Sequence, residues 1–190
     1  MTKSDTIETK PVIRSGTIAD YEAIELLCNE RYGIGYVNRQ TVAHWTQCPA
    51  LFLVAEQDGC FAGFSVFVPK TAEAVAEYMA MPIEDVLAAS AGKPSLIYKS
   101  AAVVMTYEHR GIMKTMLTHQ LEKAKEMGFG AVFASAWEYG GVVPMAGMFA
   151  GLGFEPLYRR EMLWYHIKDY VCVVCNGACT CNAVIYQKKL

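Results

Sequence analysis

Residues 97–128 of the chain read IYKSAAVVMTYEHRGIMKTMLTHQLEKAKEMG. An apolar run at residues 101–105 is followed by a short polar turn, residues 107–110, and then by Gly111. After this glycine the apolar residues recur at helical spacing, which predicts a helix that ends near Gly128. The first N–H groups of such a helix have no partner within it, and the helix dipole places partial positive charge there. The strand, turn and helix together therefore predict a cradle for a phosphate or pyrophosphate group.

The composition limits the class of protein. With 190 residues, of which 53% are hydrophobic, the chain can bury one substantial core, so we expect one principal domain. The formal net charge of -2 and the absence of Lys/Arg runs argue against nucleic acid as the main partner. Every apolar run is shorter than the roughly 20 residues that cross a bilayer, so no membrane segment is expected. Residues 1–10 are polar and read as a flexible leader rather than a signal peptide, which favours the cytoplasm.

The hydrophobic patterns predict a mixed order of strands and helices. Asp58-Gly59 between two apolar runs is a hairpin signal, and Pro82 divides a helical insertion at residues 71–92. An early meander and a later βαβ crossover indicate an α/β fold with a mixed, partly parallel β-sheet flanked by helices. The predicted strands are 11–14, 51–56, 61–69, 96–105, 131–137 and 154–167, and the other predicted helices are 20–30, 38–45 and 144–151.

The element order, with the turn before Gly111 at its centre, resembles the GNAT superfamily of acetyl-CoA-dependent N-acetyltransferases over residues 11–167. The family signature is a Gln or Arg, two variable residues, a Gly, one further residue, and a Gly or Ala. Aligned without gaps, it falls on EHRGIM at residues 108–113, where the glycine matches and Glu108 and Met113 do not. MFAGLGF, ending in Phe154, also resembles the family's sequence that leads into the penultimate strand. The resemblance implies a GNAT-like acetyltransferase domain over residues 11–168.

The resemblance implies that acetyl-CoA is the cosubstrate and that the acetyl group passes directly to a primary amine of a small molecule or peptide. The fourth and fifth strands would splay to admit the pantetheine arm, and a backbone N–H near Val103 or Val104 would meet the carbonyl oxygen. Arg110 and Lys114 would offset the negative charge that Glu108 brings near the pyrophosphate. The residues expected to bind the cofactor are Val103, Val104, Met105, Arg110, Gly111, Ile112, Met113, Lys114 and Thr115.

Acetyl transfer needs a base for the amine and benefits from an acid for the leaving thiolate. The family's usual tyrosine acid falls on Phe149, which cannot donate a proton. Tyr139 is the predicted replacement, and Glu138, just past the fifth strand, is the predicted base. Base catalysis through ordered water also fits the sequence. The alternatives are Tyr107 and Tyr158 for the acid and Glu108 for the base.

Residues 169–190 are predicted to form a short Cys-rich C-terminal hairpin extension outside the family fold. Cys172, Cys175, Cys179 and Cys181 lie within ten residues, and the first pair has the C-x2-C-x-Gly spacing of a zinc knuckle. A turn at Asn176-Gly177 would bring Cys172 opposite Cys181, so that four thiolates close a tetrahedral shell around a structural zinc. Reduced thiols on a hairpin, or disulfides, are the alternatives. Residues 184–188 alternate apolar and polar, so they extend the sheet or pair with a second subunit in a homodimer.

The resemblance favours an N-acetyltransferase with an unidentified acceptor, and two alternatives stay open. One is an acyl-CoA-binding module with weak chemistry, which the departures at Glu108, Met113 and Phe149 favour. The other is a metal or redox module centred on the four cysteines.

Overall fold

The computed structural model describes residues 10–190, so the predicted leader at residues 1–10 lies almost wholly outside the described part. Seven of nine strands form one sheet in the order β1-β3-β4-β5-β6-β9-β7, and β2 pairs with β8 in a separate two-stranded sheet. The strands are β1 Val12–Ser15, β2 Gly33–Ile34, β3 Phe52–Gln57, β4 Cys60–Lys70, β5 Ser95–Val103, β6 Ala131–Glu138, β7 Glu155–Arg160, β8 Val171–Cys172 and β9 Asn182–Lys189. The helices are α1 Tyr21–Arg31, α2 Arg39–Trp45, α3 Ala72–Met79, α4 Ile83–Ser90, α5 Ile112–Glu126 and α6 Ala146–Gly151.

Local sequence signals account for most element boundaries. The Asn38 side chain accepts a hydrogen bond from the backbone N–H of Thr41 at 2.9 Å and so caps α2. Thr71 caps α3 in the same way, and Pro82 separates α3 from α4. Asp58 and Gly59 both have positive φ in the β3–β4 hairpin. These boundaries agree with the sequence-based predictions to within one or two residues.

Helices cover both faces of the main sheet. On one face α1 and α2 pack against β3 and β4, with α3 and α4 beside them against β5, β6 and β9. On the other face lie α5 and α6. Gln120 of α5 is fully buried there, and its amide N donates to the carbonyls of Leu51 and Ser65 at 2.8 and 3.0 Å. Because the Ser65 hydroxyl donates back to Gln120 at 2.5 Å, this buried network fixes α5 on the sheet. The mixed α/β prediction is confirmed.

The parallel pair β5 and β6 is joined along only part of its length. The two strands pair from Ser95 with Ala131 to Tyr98 with Ala134. Beyond these residues β5 runs on to Val103 and β6 to Glu138 without pairing to each other. A gap therefore opens between the carboxyl-terminal halves of the two strands, as the resemblance implies.

The C-terminal third differs from the prediction in two respects. The predicted strand at residues 154–167 ends at Arg160, because Met162 takes a positive φ of 48° and the chain then forms turns through residue 167. The last strand, β9, lies between β6 and β7 and is antiparallel to both. Residues 182–189 are thus an internal part of the main sheet, and the four cysteines precede them. The division of the chain at residue 168 stays a prediction.

None of the helices formed by residues 10–190 is long and apolar enough to cross a membrane.

Candidate active site

A cavity of about 650 Å³ lies between the diverging halves of β5 and β6. It begins where the pairing of the two strands ends, at Tyr98 and Ala134. One end is formed by the start of α5, from Gly111 to Lys114, and the other by aromatic side chains of the α1–α2 connection and of residues 164–179. The cavity therefore runs from a helix N-terminus to an aromatic wall.

The start of α5 has the properties of an anion cradle. Gly111 precedes the helix with φ 77°, a left-handed conformation that side chains with a Cβ rarely adopt. The first intrahelical bond runs from the Thr115 N–H to the Gly111 carbonyl at 2.9 Å, so the amides of Ile112, Met113 and Lys114 have no helical partner. A Cβ at Gly111 would meet nothing within 4 Å. The glycine is needed for the turn itself, and the space above it is open to a ligand.

Glu108, the departure at the first signature position, does not present a free negative charge to this cradle. Its carboxylate accepts a hydrogen bond from Arg31 at 2.5 Å, and the same guanidinium donates to the Val103 carbonyl at 3.1 Å. Arg31, at the end of α1, thus neutralises Glu108 and ties α1 to the end of β5. The sequence pattern pointed to Arg110 and Lys114 for this compensation, whereas the structure provides it through Arg31.

Five of the nine predicted cofactor residues line the cavity: Val103, Gly111, Ile112, Met113 and Lys114. The other four, Val104, Met105, Arg110 and Thr115, do not. The Val104 N–H already donates to the Ala62 carbonyl at 2.8 Å, and Met105 is largely exposed. Arg110 donates to the Thr106 carbonyl at 3.1 Å and lies over the Tyr107 ring.

The two predicted catalytic residues lie just outside the cavity, although their neighbour Trp137 lines it. Glu138 is paired with Arg159 at 2.6 Å, and its side chain is only 10% exposed. Tyr139 is 61% exposed and stacks on Trp137 with ring centroids 5.7 Å apart. The catalytic roles of Glu138 and Tyr139 stay predictions.

Tyr98 provides a proton donor inside the cavity that was not among the residues predicted from the sequence. Its hydroxyl donates to the Met113 sulfur at 3.2 Å, and its ring contacts Phe149 edge-on with centroids 6.0 Å apart. Burial raises the pKa of Tyr98, so the hydroxyl keeps its proton at neutral pH. Phe149, at the family's tyrosine position, is itself buried in the wall. The available signal was the alternation of β5, which places Leu96 and Tyr98 on the α5 face.

The end of the cavity away from α5 is aromatic and contains one largely buried lysine. The Tyr32 hydroxyl donates to the Ala101 carbonyl, and the Tyr36 hydroxyl to the Lys99 carbonyl at 3.3 Å. The Lys99 ammonium donates to the Tyr78 hydroxyl at 2.7 Å. Burial would lower the pKa of Lys99, but its electrostatic interactions with Tyr36 and Tyr78 raise it above the ordinary value. No periodic pattern in the sequence marks this wall.

The four cysteines come together beside this wall. Their Sγ atoms all lie within 4.8 Å of one another, and Cys172 and Cys179 line the cavity. The turn at Asn176-Gly177 is tighter than predicted: the Cys172 N–H donates to the Gly177 carbonyl at 2.9 Å, and β8 pairs with β2 rather than with β9. A hydrogen bond from the Thr180 hydroxyl lowers the pKa of the Cys175 thiol to about 7. All seven cysteines are free, and these four could hold a zinc ion.

Comparison with solved structures decides which fold this is. Naa50 from Arabidopsis thaliana, in complex with the bisubstrate analogue CoA-Ac-MVNAL, superposes with a TM-score of 0.69 over 96% of this chain and 100% of its own, at 10% identity. The chain has the GNAT fold. The ribosomal-protein-S18-alanine N-acetyltransferase from Escherichia coli has a TM-score of 0.64 at 15% identity, with 95% of this chain and 94% of that chain covered.

A third GNAT structure has its cofactor bound. The yncA protein from Salmonella typhimurium, a putative acetyltransferase with acetyl-CoA, superposes with a TM-score of 0.65 at 16% identity, covering 96% of this chain and 95% of its own. No protein-family profile matches the chain, and no curated protein matches its sequence. The GNAT likeness is therefore one of fold.

Proposed function

We propose that the chain is an acetyl-CoA-dependent N-acetyltransferase that transfers the acetyl group directly to a primary amine. The observation that carries this proposal is the cavity between the diverging β5 and β6, which ends at the unpaired amides of α5. GNAT structures that superpose on the chain contain acetyl-CoA or a CoA bisubstrate analogue. The seven free cysteines fit a reducing compartment, so we propose a cytoplasmic location.

The cavity fits acetyl-CoA in shape and chemistry. The amides of Ile112, Met113 and Lys114 would hold the pyrophosphate, helped by the helix dipole and the Lys114 side chain. Met113 stands where the family has a small residue, but its sulfur is held by Tyr98 at the cavity wall. The gap between the strands, lined by Ala101, Val103 and other β5 residues, would take the pantetheine arm.

When bound, acetyl-CoA supplies an activated thioester. The acceptor amine must lose a proton as its nitrogen bonds to the acetyl carbon, and the sulfur must gain one as the C–S bond breaks. Tyr98 holds a proton inside the cavity and is our candidate donor to the sulfur, with Tyr139 as the second candidate. Glu138 is our candidate base, acting through water because its carboxylate lies outside the cavity. The apolar walls exclude bulk water from the thioester.

An acyl-CoA-binding module with weak chemistry is the second candidate. It is favoured by Phe149 at the usual tyrosine position and by the cavity's lack, within residues 10–190, of any lining carboxylate besides Glu108. Glu108 is engaged with Arg31.

The two candidates differ in turnover. We would incubate the protein with acetyl-CoA and a panel of amines, small molecules and peptides with free N-termini, and detect acetylated product by mass spectrometry. The transferase predicts product above the uncatalysed rate for at least one amine class. Tyr98→Phe, Tyr139→Phe and Glu138→Gln, assayed side by side, would assign the acid and base by which kcat falls. Tight CoA binding with no product on any amine would contradict the transferase and support the module.

A further inference from the structure

We propose that Cys172, Cys175, Cys179 and Cys181 bind one Zn²⁺, and that this ion holds in place the aromatic wall at the end of the cavity away from α5, which we take as the acceptor end. The metal would thereby control the acceptor side of the cavity and leave the CoA side untouched. The ion's effect on acetylation rests on the proposed function. The metal site itself, and its effect on the order of the aromatic wall, do not depend on that function.

The sulfur geometry matches zinc. Four Zn–S bonds of about 2.3 Å in a tetrahedron place the sulfur atoms about 3.8 Å apart. Sγ of Cys181 lies 4.0 Å from Sγ of Cys172 and 3.4 Å from Sγ of Cys175. Cys172, Cys179 and Cys181 are buried, and Cys175 is half-buried. Four sulfur ligands close the shell, so the ion would be structural.

The segment that carries the cysteines, residues 170–181, is joined to the aromatic wall by strand pairing and hydrogen bonds. β8, which contains Cys172, pairs with β2 at Gly33 and Ile34. The Val173 N–H and the Tyr170 hydroxyl both donate to the Tyr32 carbonyl, at 2.9 and 2.8 Å. The two chains approach so closely that a Cβ at Gly33 would lie 1.9 Å from the Val171 carbonyl oxygen.

The segment that carries the cysteines has little regular secondary structure. Between the end of β7 at Arg160 and the start of β9 at Asn182, the chain contains the two-residue strand β8 and no helix. A tetrahedral metal site would supply the missing constraint, since metal binding contributes directly to folding free energy. Loss of the metal would free β8 from β2 and loosen Tyr32 and Tyr36, which line the acceptor end. The start of α5, at the opposite end, would keep its structure.

The test compares Cys175→Ser with Cys60→Ser. Cys175 is the least buried of the four ligands, so its loss disturbs packing least, while Cys60 is an exposed cysteine on the β3–β4 hairpin. The three proteins, wild type included, would be purified without chelator and analysed for metal. Amide hydrogen exchange would then be measured for residues 32–37 and 169–181, and CoA binding by calorimetry.

We expect about one zinc per chain in the wild type and in Cys60→Ser, and none retained in Cys175→Ser after dialysis. Exchange in both segments should rise at least tenfold in Cys175→Ser, with CoA affinity unchanged. A wild-type chain that holds no zinc even after addition of ZnCl₂ under reducing conditions would overturn the site. Metal loss with unchanged exchange at residues 32–37 would overturn the proposed effect on the aromatic wall. If none of the three proteins binds CoA, the proposed function fails, and the metal and exchange data still decide this proposal.

A second observation concerns the charge of the acceptor. Lys99 is the extra residue of a β-bulge, because Val66 pairs with Ser100 and Phe67 with Tyr98. Such bulges re-aim a side chain, and this one directs the Lys99 ammonium between the main cavity and a second cavity of about 400 Å³. Among residues 10–190 no carboxylate lies within ion-pair distance of it. Tyr36 and Tyr78 contact the ammonium. The other polar residues that line the second cavity are Asn38, Gln40, Thr41, His44 and Lys70.

We infer that the acceptor carries a carboxylate, which pairs with Lys99 while its amine faces the thioester. The Lys99 ammonium donates to the Tyr78 hydroxyl but has no carboxylate partner among residues 10–190, so an anionic ligand would supply a counter-charge and a charge-assisted hydrogen bond. The second cavity has room for such a group, and no acidic residue lines it. This inference rests on the proposed function.

Matched amines test the inference. Wild type, Lys99→Met and the control Lys93→Met would be assayed on β-alanine against propylamine and on glycylglycine against its amide. Lys93 is exposed and lines neither cavity. We expect the wild type and Lys93→Met to favour the carboxylates in kcat/KM at least tenfold, and Lys99→Met to lose the preference. Equal preference in Lys99→Met and wild type would refute the inference. If no amine is acetylated, the proposed function fails, and a thermal-shift titration with succinate decides the anion site: stabilisation that Lys99→Met abolishes supports it, and equal shifts overturn it.

Discussion

Gly111→Val, compared with Gly128→Val, separates the binding role of the α5 N-terminus from its structural role. Both glycines flank α5, one at each end, with φ of 77° and 82°. At neither position would an added Cβ meet another atom within 4 Å. The two substitutions therefore impose the same backbone strain on the same helix, at points about 25 Å apart.

The magnitude follows from the left-handed conformation. A residue other than glycine costs about 1–2 kcal/mol in this region, and a β-branched side chain stands at the upper end. Each variant should thus lose about 1–2 kcal/mol in the free energy of unfolding. At Gly111 the same strain acts on the turn itself and shifts the amides of Ile112, Met113 and Lys114 from the geometry that binds an anion. CoA affinity should then fall about 5- to 30-fold, because 1–2 kcal/mol corresponds to that factor.

The assay is urea denaturation for stability and calorimetric titration for CoA affinity, on both variants and the wild type. We expect similar losses of stability in the two variants and a loss of CoA affinity in Gly111→Val alone. Equal CoA affinity in Gly111→Val and the wild type would refute the assignment of the cradle. Equal losses of affinity in both variants would show that the effect comes from helix stability and not from the turn.

Three further predictions concern the ion pairs and the buried network. Arg31→Met should weaken CoA binding about 3- to 10-fold in low salt, because it leaves the Glu108 carboxylate unpaired near the cradle, and adding Glu108→Gln should restore the affinity. CoA titrations at rising salt check this, and equal CoA affinities of the variants and the wild type throughout the series would contradict it. Gln120→Leu should lower the free energy of unfolding by about 2–4 kcal/mol, since it leaves buried carbonyls without donors, and urea denaturation with an unchanged midpoint would disprove it. Although burial opposes its charge, hydrogen bonds from Arg14 and Thr17 lower the pKa of Asp20, so this carboxylate stabilises the fold above about pH 4 and ceases to do so as the pH falls further. Asp20→Asn should accordingly cost about 1–3 kcal/mol at pH 7 and progressively less as the pH falls below about 4. Thermal unfolding of both proteins across this range measures the difference, and a cost that does not change with pH would contradict the prediction.

Local signals in the sequence predicted much of the fold. Asn38, Asp58-Gly59 and Pro82 act within a few residues of themselves, so they mark caps, turns and breaks correctly. Gly111 likewise predicted both the turn and the start of α5. The strand predicted at residues 154–167 was wrong beyond Arg160, because the reversal there depends on a positive φ at Met162, a residue type that gives no such signal.

The hydrophobic pattern of the sequence could not predict contacts between segments that are far apart in the chain. The insertion of β9 between β6 and β7 joins segments far apart in sequence, and the alternation at residues 184–188 could not say which strands it would join. Arg31 reaches Glu108 across 77 positions of the chain. Lys99 acquires its role from a β-bulge and from Tyr78, neither of which any spacing predicts. The cysteine cluster was easier, because its ligands lie close together in sequence.

Calorimetric titration of the purified protein with CoA tests the central claim most directly. We predict one site per chain with micromolar affinity, about -8 kcal/mol. Because the α5 amides bind the pyrophosphate, we also predict a loss of affinity when CoA is replaced by pantetheine, which has no pyrophosphate. A folded protein that binds neither CoA nor acetyl-CoA would contradict the account of the cavity between β5 and β6.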